Sequence, residues 1–149
     1  MYQRILVPVD GSPTSNAGLA EAIKVAKVTG AQLRLLHAVD QMPFVMTGEG
    51  YGAMSADVLT LLNDGGKQIL QDARQRVADS GIAVDTVLSD TVNARLCDLV
   101  AQQANEWHAN LIVLGTHGRR GVSRVLLGSD AEQIVRTAPV SVLLVRAVA

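Results

Sequence analysis

Five short apolar runs punctuate the chain, and the intervals between them carry helical periodicity. Ile5-Leu6-Val7-Pro8-Val9 is the first run and the stretch from Ala31 to Val39 contains the second. The first is continuous where a half-exposed strand would alternate, and the second holds a fuller apolar pattern than such a strand, as expected of strands buried on two faces. Between them Ser12 is placed to cap a helix that begins at Pro13. Leu19, Ala22, Ile23 and Ala26 then fall at i, i+3, i+4 and i+7, and Gly30 ends the helix. This predicts a strand–helix–strand unit with a parallel crossover.

The alternation continues. Val58, Leu61, Leu62, Ile69, Ala73 and Val77 mark a longer helix closed by Gly81. Gly65-Gly66 inside it costs roughly 1 kcal/mol per residue relative to alanine and invites a kink. Ala83 to Leu88 reads as the third strand. Asn93 is the expected cap of a helix with Leu96, Leu99, Val100, Ala104 and Trp107 on one stripe. Leu111 to Leu114 is the fourth strand; Ala131, Ile134, Val135 and Ala138 mark a last helix, and Val142 to Val145 the fifth strand. The predicted fold is α/β: one doubly wound, five-stranded parallel sheet with helices on both faces, Rossmann-like or flavodoxin-like. Ligands of such sheets bind beyond the carboxyl ends of the strands where the strand order reverses, which here means around Asp10 and Gly115.

Composition narrows the function. A chain of 149 residues is read as one domain spanning 1–149, and its single cysteine, Cys97, excludes an internal disulfide. Hydrophobic residues make up 48% of the chain but aromatics only 3%, so the core is aliphatic. Four rings (Tyr2, Phe44, Tyr51 and Trp107) do not make a stacking platform for single-stranded nucleic acid. A net charge of −1 gives no general field for DNA or RNA, so no nucleic-acid partner is expected. The start of the chain reads as neither a signal peptide nor a membrane span, and a cytoplasmic protein is expected. Residues 41–55, with Gly48, Gly50, Gly52 and Pro43, read as a loop: a lid, a partner-binding patch or an ordinary surface excursion.

The most informative stretch is Leu114-Gly115-Thr116-His117-Gly118, followed after nine residues by Gly128-Ser129 at the start of the last helix. Glycines after a strand let backbone N–H groups approach an anion, and a helix N-terminus favours phosphate. Taken singly, each is more often an ordinary turn glycine. Neither a G-x-x-x-x-G-K-[ST] loop nor a G-x-G-x-x-G after the first strand is present. Arg119, Arg120 and Arg124 lie in the intervening arm, where a guanidinium could neutralise phosphate or simply be solvated. Arg119 is the first choice, being next to Gly118. His117 is a candidate for a phosphate hydrogen bond or a general acid, with a structural polar contact the more common use of such a residue. His37 and His108 have no metal-ligand spacing, Cys97 is expected to pack, and Ser12 and Ser15 are better explained by the helix start than by nucleophilic chemistry.

The pattern Gly115-x2-Gly118-x9-Gly128-Ser129 resembles that of the ATP-binding branch of the universal stress protein family. The opening Ile5-Leu6-Val7-Pro8-Val9-Asp10-Gly11-Ser12 and the closing Ala138 to Arg146 are similar to that family's first and last strands. The resemblance implies an ATP, ADP or AMP ligand with Asp10 near ribose and phosphates, flanked by Pro8 and Val9, and Val39 framing adenine through its backbone. It implies that Gly115, Gly118, Gly128 and Ser129 hold the phosphates, with any Mg²⁺ held mainly by phosphate oxygens; Leu114, His117, Arg119 and Asp130 beside them are counted as candidate ATP-binding residues. Asp130 departs from the pattern; it is placed to cap the helix, to repel phosphate or to bind the cation.

An apolar terminal strand at a sheet edge invites pairing, and the resemblance implies the same: a homodimer through Val142, Leu143, Leu144 and Val145. The leading reading is a nucleotide-dependent regulatory module of the stress response with an unnamed protein partner. No catalytic base is legible, so hydrolysis is expected to be slow at most. A nucleotide hydrolase or nucleotidyl-transferring enzyme, and a nucleotide-free dimeric interaction protein, are the alternatives.

Overall fold

A computed structural model describes residues 1–40, 56–90, 94–116 and 127–147. In chain order the elements are β1 (Arg4–Pro8), α1 (Pro13–Thr29), β2 (Gln32–Val39), α2 (Ala56–Asp79), β3 (Val84–Asp90), α3 (Leu96–Glu106), β4 (Leu111–Gly115), α4 (Ser129–Thr137) and β5 (Ser141–Val145). The strands form one parallel sheet in the order β3-β2-β1-β4-β5. The chain therefore winds outward from β1 in one direction, then returns to the other side through β4. The order reverses between β1 and β4, the position expected of the ligand-binding crevice.

Local chemistry explains α1. The Ser12 hydroxyl accepts from the Ser15 N–H at 3.2 Å, Pro13 occupies the first turn, and Gly30 adopts φ 74° while its N–H donates to Ala26 at 2.8 Å. These are the start and stop signals read from the sequence. The strands alternate their burial between two faces. Ile5, Val7, Leu33, Leu35 and Val113 pack with Leu19, Ala22 and Ala26 of α1 and Leu70, Ala73 and Val77 of α2. Leu6, Leu36, Ile112 and Leu114 pack on the other face with Leu99, Val100 and Ala104 of α3 and Ala131 and Ile134 of α4. Cys97 is buried in this second core, as expected.

That face also carries a polar cross-link. Arg34 on β2 donates two hydrogen bonds of 2.8 Å to the Asp85 carboxylate on β3 and reaches Gln103 on α3 at 3.3 Å. Its guanidinium lies 4.8 Å from the Trp107 ring centroid. The hydrogen bond to Asp85 raises the Arg34 pKa above its ordinary value, with burial acting in the opposite sense.

Three expectations change. Leu61 is 71% exposed and Val135 also faces solvent, so neither belongs to the core stripe. The N-cap position of α3 is Arg95, with no side-chain capping bond, while Asn93 lies outside the described residues. Finally, α2 runs unbroken through Gly65-Gly66. A Cβ at Gly66 would stand 2.8 Å from Leu88 Cδ1 and 2.9 Å from the His37 ring, whereas one at Gly65 meets nothing within 4 Å. Gly66 is thus the point where α2 approaches the sheet too closely for a side chain. Gly65→Ala is expected to stabilise the protein by about 0.5–1 kcal/mol through helix propensity. Gly66→Ala is expected to lose that gain to overpacking and come out destabilising. Thermal melts of the two variants check this, and a higher midpoint for Gly66→Ala than for Gly65→Ala contradicts it.

Candidate functional site

The crevice begins at the end of β1. The Asp10 Oδ1 accepts from the Ser12 N–H at 2.9 Å, and the Asp10 N–H donates to the Ser15 hydroxyl at 3.0 Å. Both serine hydroxyls are therefore engaged in building the turn into α1, consistent with their reading as structural groups. Val9 is buried and its N–H donates to Leu36 at 2.8 Å, continuing the β1–β2 ladder past Pro8. Val39, at the end of β2, is only 3% exposed, so its side chain is interior. A role for Val39 toward a ligand falls to its main chain.

At the end of β4, a Cβ on Gly115 would collide with the Thr14 carbonyl oxygen and stand 2.6 Å from the carbonyl carbon. Gly18, one turn further along α1, makes the reciprocal approach: its Cβ would lie 3.0 Å from Gly115 N and 3.2 Å from the Leu114 carbonyl carbon. The absence of a side chain at Gly115 is thus used to seat α1 against β4, a packing role in addition to any access it gives an anion. Gly18 inside the helical pattern was the sequence signal for this contact.

Thr116 follows. Its N–H donates to Val145 of β5 at 3.0 Å and its carbonyl accepts from Gly128 at 2.8 Å. The Gly128 N–H is therefore engaged within the protein. Gly128 occupies the N-cap of α4 without a side-chain capping bond, and its carbonyl accepts from Glu132 N–H at 2.9 Å. Ser129 and Asp130 are exposed in the first turn, where Asp130 and Glu132 lie at the positive end of the helix dipole. His117, Gly118, Arg119, Arg120 and Arg124 lie outside the described residues. The structure thus brings Pro8, Val9, Asp10, Val39, Leu114 and Gly115 to one edge of the sheet, with Gly128 tied to β4 through Thr116. Among the described residues, no group of three or more His, Cys, Asp or Glu side chains is placed to hold a metal ion.

Sequence reasoning missed His37. It lies on β2 at an inward-facing position, against Gly66 of α2, and is only 7% exposed. Its Nδ1 is 2.7 Å from the carbonyl oxygen of Val9. The signal available in the sequence was the alternation Leu33, Leu35, His37, which places an imidazole where an aliphatic side chain is expected.

At the far edge of the sheet, β5 pairs with β4 alone among the described strands. Val142, Leu143 and Val145 are half-buried, whereas Leu144 is 37% exposed. No helix among the described residues is long and apolar enough to cross a membrane.

A five-stranded parallel sheet wound in both directions from β1, with a crevice at the β1/β4 switch, defines a Rossmann-like α/β domain. The universal stress protein family model matches residues 1–146, and the chain belongs to that family. It is 32% identical over 147 residues to universal stress protein MJ0531 of Methanocaldococcus jannaschii, covering 98% of this chain and 83% of the relative. The solved structure of universal stress protein UspA from Lactobacillus plantarum superposes with a TM-score of 0.74 at 30% identity, covering 97% of this chain and 98% of that one. Two more distant members share the fold and were solved with nucleotides. One is a universal stress protein in complex with cAMP (TM-score 0.71, 23% identity, 99% and 98% of the two chains). The other is the Archaeoglobus fulgidus protein with dAMP (TM-score 0.70, 21% identity, 97% and 98%).

Proposed function

We propose that this universal stress protein binds an adenine nucleotide, ATP or its ADP or AMP counterparts, in the crevice between the ends of β1 and β4. The observation that carries the reading is the convergence of Asp10, Val39 and Gly115 on the strand edge where this architecture binds ligands. Family members of the same fold holding cAMP and dAMP support the adenylate class. In this reading Asp10 lies near the ribose, the Val39 main chain frames the base, and the phosphates lie toward Gly115, His117, Gly118, Arg119, Gly128, Ser129 and Asp130. A divalent cation such as Mg²⁺ is carried mainly by the phosphate oxygens.

The protein then works as a binding module whose nucleotide state changes its association with partners in the cytoplasm. The edge strand β5 favours a homodimer, because an edge with unpaired main-chain groups and apolar side chains is a template for a second copy. The test is direct. Protein purified without added nucleotide is denatured, and the released small molecules are identified by mass spectrometry. Calorimetric titration of ligand-stripped protein with ATP, AMP and cAMP follows. Released ATP or ADP, or saturable binding of an adenine nucleotide, supports the reading; neither release nor binding overturns it. Turnover with ATP and Mg²⁺ well above slow leakage, abolished in Asp10→Ala, would instead make the protein a hydrolase.

A further inference from the structure

Among the described residues, the buried polar side chains are Ser12, Ser15 and His37. All three converge on one short stretch of backbone. His37 Nδ1 stands 2.7 Å from the Val9 carbonyl oxygen, and the Ser15 hydroxyl accepts from the Asp10 N–H at 3.0 Å. That carbonyl and that N–H are the two ends of a single peptide unit. The Ser12 N–H, in turn, holds the Asp10 carboxylate at 2.9 Å, and the Ser12 hydroxyl accepts from Ser15 N–H.

A carbonyl oxygen has no proton to give, so the short contact fixes the imidazole tautomer: Nδ1 carries the hydrogen and donates it. The groups on either side of the peptide come from different elements, His37 from β2 and Ser15 from α1. Rotation of the Val9–Asp10 plane breaks both bonds at once, one of them between the buried Val9 and the buried His37 ring, and so is costly. Space for the ring is provided by Gly66, since a Cβ there would lie 2.9 Å from His37 Cδ2 and 3.3 Å from Nε2. Val9 and Asp10 follow directly on β1 at the crevice, so the orientation of this peptide decides where the Asp10 carboxylate starts.

We infer that His37 and Ser15 are positioning residues that clamp the Val9–Asp10 peptide from its two ends and so preset Asp10 for the ligand, without touching the ligand themselves. The inference rests on the nucleotide reading for its functional consequence, and on geometry alone for the clamp. A preset carboxylate spares the ligand the cost of ordering the turn, which appears as affinity.

The experiment compares wild type with His37→Asn, His37→Leu and Ser15→Ala, all measured well below their melting temperatures. Asparagine offers an amide N–H close to the place of Nδ1–H, whereas leucine fills the space without a donor. Adenine-nucleotide affinity is expected to fall about tenfold in His37→Leu and in Ser15→Ala and to stay within about twofold in His37→Asn, tenfold being a readily measured difference. Equal affinity in all four proteins overturns the inference, because a merely structural histidine lowers the melting temperature without moving affinity among folded molecules. Ser15→Ala probes the other end of the same peptide should His37→Leu not fold. Two ligand-free readouts accompany these. Nitrogen NMR is expected to show His37 protonated at Nδ1, and the Asp10 amide to exchange with solvent faster in Ser15→Ala and His37→Leu. An Nε2–H tautomer with bare Nδ1, or unchanged Asp10 exchange, overturns the clamp itself. Absence of nucleotide binding in wild type, with the tautomer and exchange as expected, overturns the nucleotide reading and leaves the clamp standing.

Discussion

Gly115→Ala is expected to destabilise the protein by about 2–3 kcal/mol, the range typical of forcing a methyl group into a closed contact. The receiving atoms decide the size of the effect. The new Cβ would strike the Thr14 carbonyl, 2.6 Å from its carbon, and main chain in the first turn of α1 cannot rotate aside as a side-chain tip does. Relief requires α1 to lift from β4, which also disturbs the contact between Gly18 and Gly115. For a chain of this size the change corresponds to a melting midpoint lowered by roughly 5–10 °C. Differential scanning calorimetry measures it, and a midpoint unchanged from wild type would show that the helix has room to move. Gly18→Ala is the milder companion: its closest approach is 3.0 Å, and alanine returns about 1 kcal/mol of helix propensity.

Ile112→Ala is expected to have the larger effect, about 3–4 kcal/mol, through lost transfer energy and the cavity left behind. Ile112 is fully buried on β4, paired with Leu6 of β1 on one side and Val142 of β5 on the other, beneath the helices of the second core. Surrounded by strands on both flanks, the site has little freedom to collapse. Leu61→Ala, which deletes as much hydrocarbon from an exposed position, is expected to change stability by no more than about 0.5 kcal/mol. Urea titrations of the two variants provide the comparison. Similar midpoints would mean that Leu61 is covered in solution by something other than this chain's described residues.

The Leu61 contrast shows what periodicity conveys. Val58, Leu61, Leu62, Ile69, Ala73 and Val77 establish which side of α2 is apolar, but not how far the sheet extends beneath it. The fully buried positions of α2 begin only at Gly66. The five strands, the caps of α1 and the reversal between β1 and β4 were legible because each rests on local composition or on a handedness rule. Gly66, Gly115 and His37 were not, because their roles depend on atoms distant in sequence. Gly66 meets Leu88 and His37, Gly115 meets Thr14, and His37 meets Val9. Read locally, a glycine inside a helix is a weakness and a histidine inside a strand a misfit; both are explained once the opposing layer is in place. Of the candidate site, Asp10, Val39 and Gly115 stand at the expected edge, whereas the segment with His117, Gly118 and Arg119 is outside the described residues.

Thr116 has an architectural consequence. With its N–H on β5 and its carbonyl on Gly128, it ties the end of β4 both to β5 and to the start of α4. One residue's main chain is thus shared by three elements, so a displacement at the strand end that carries Gly115 is passed to the edge strand β5 and to the N-terminus of α4 at the same time.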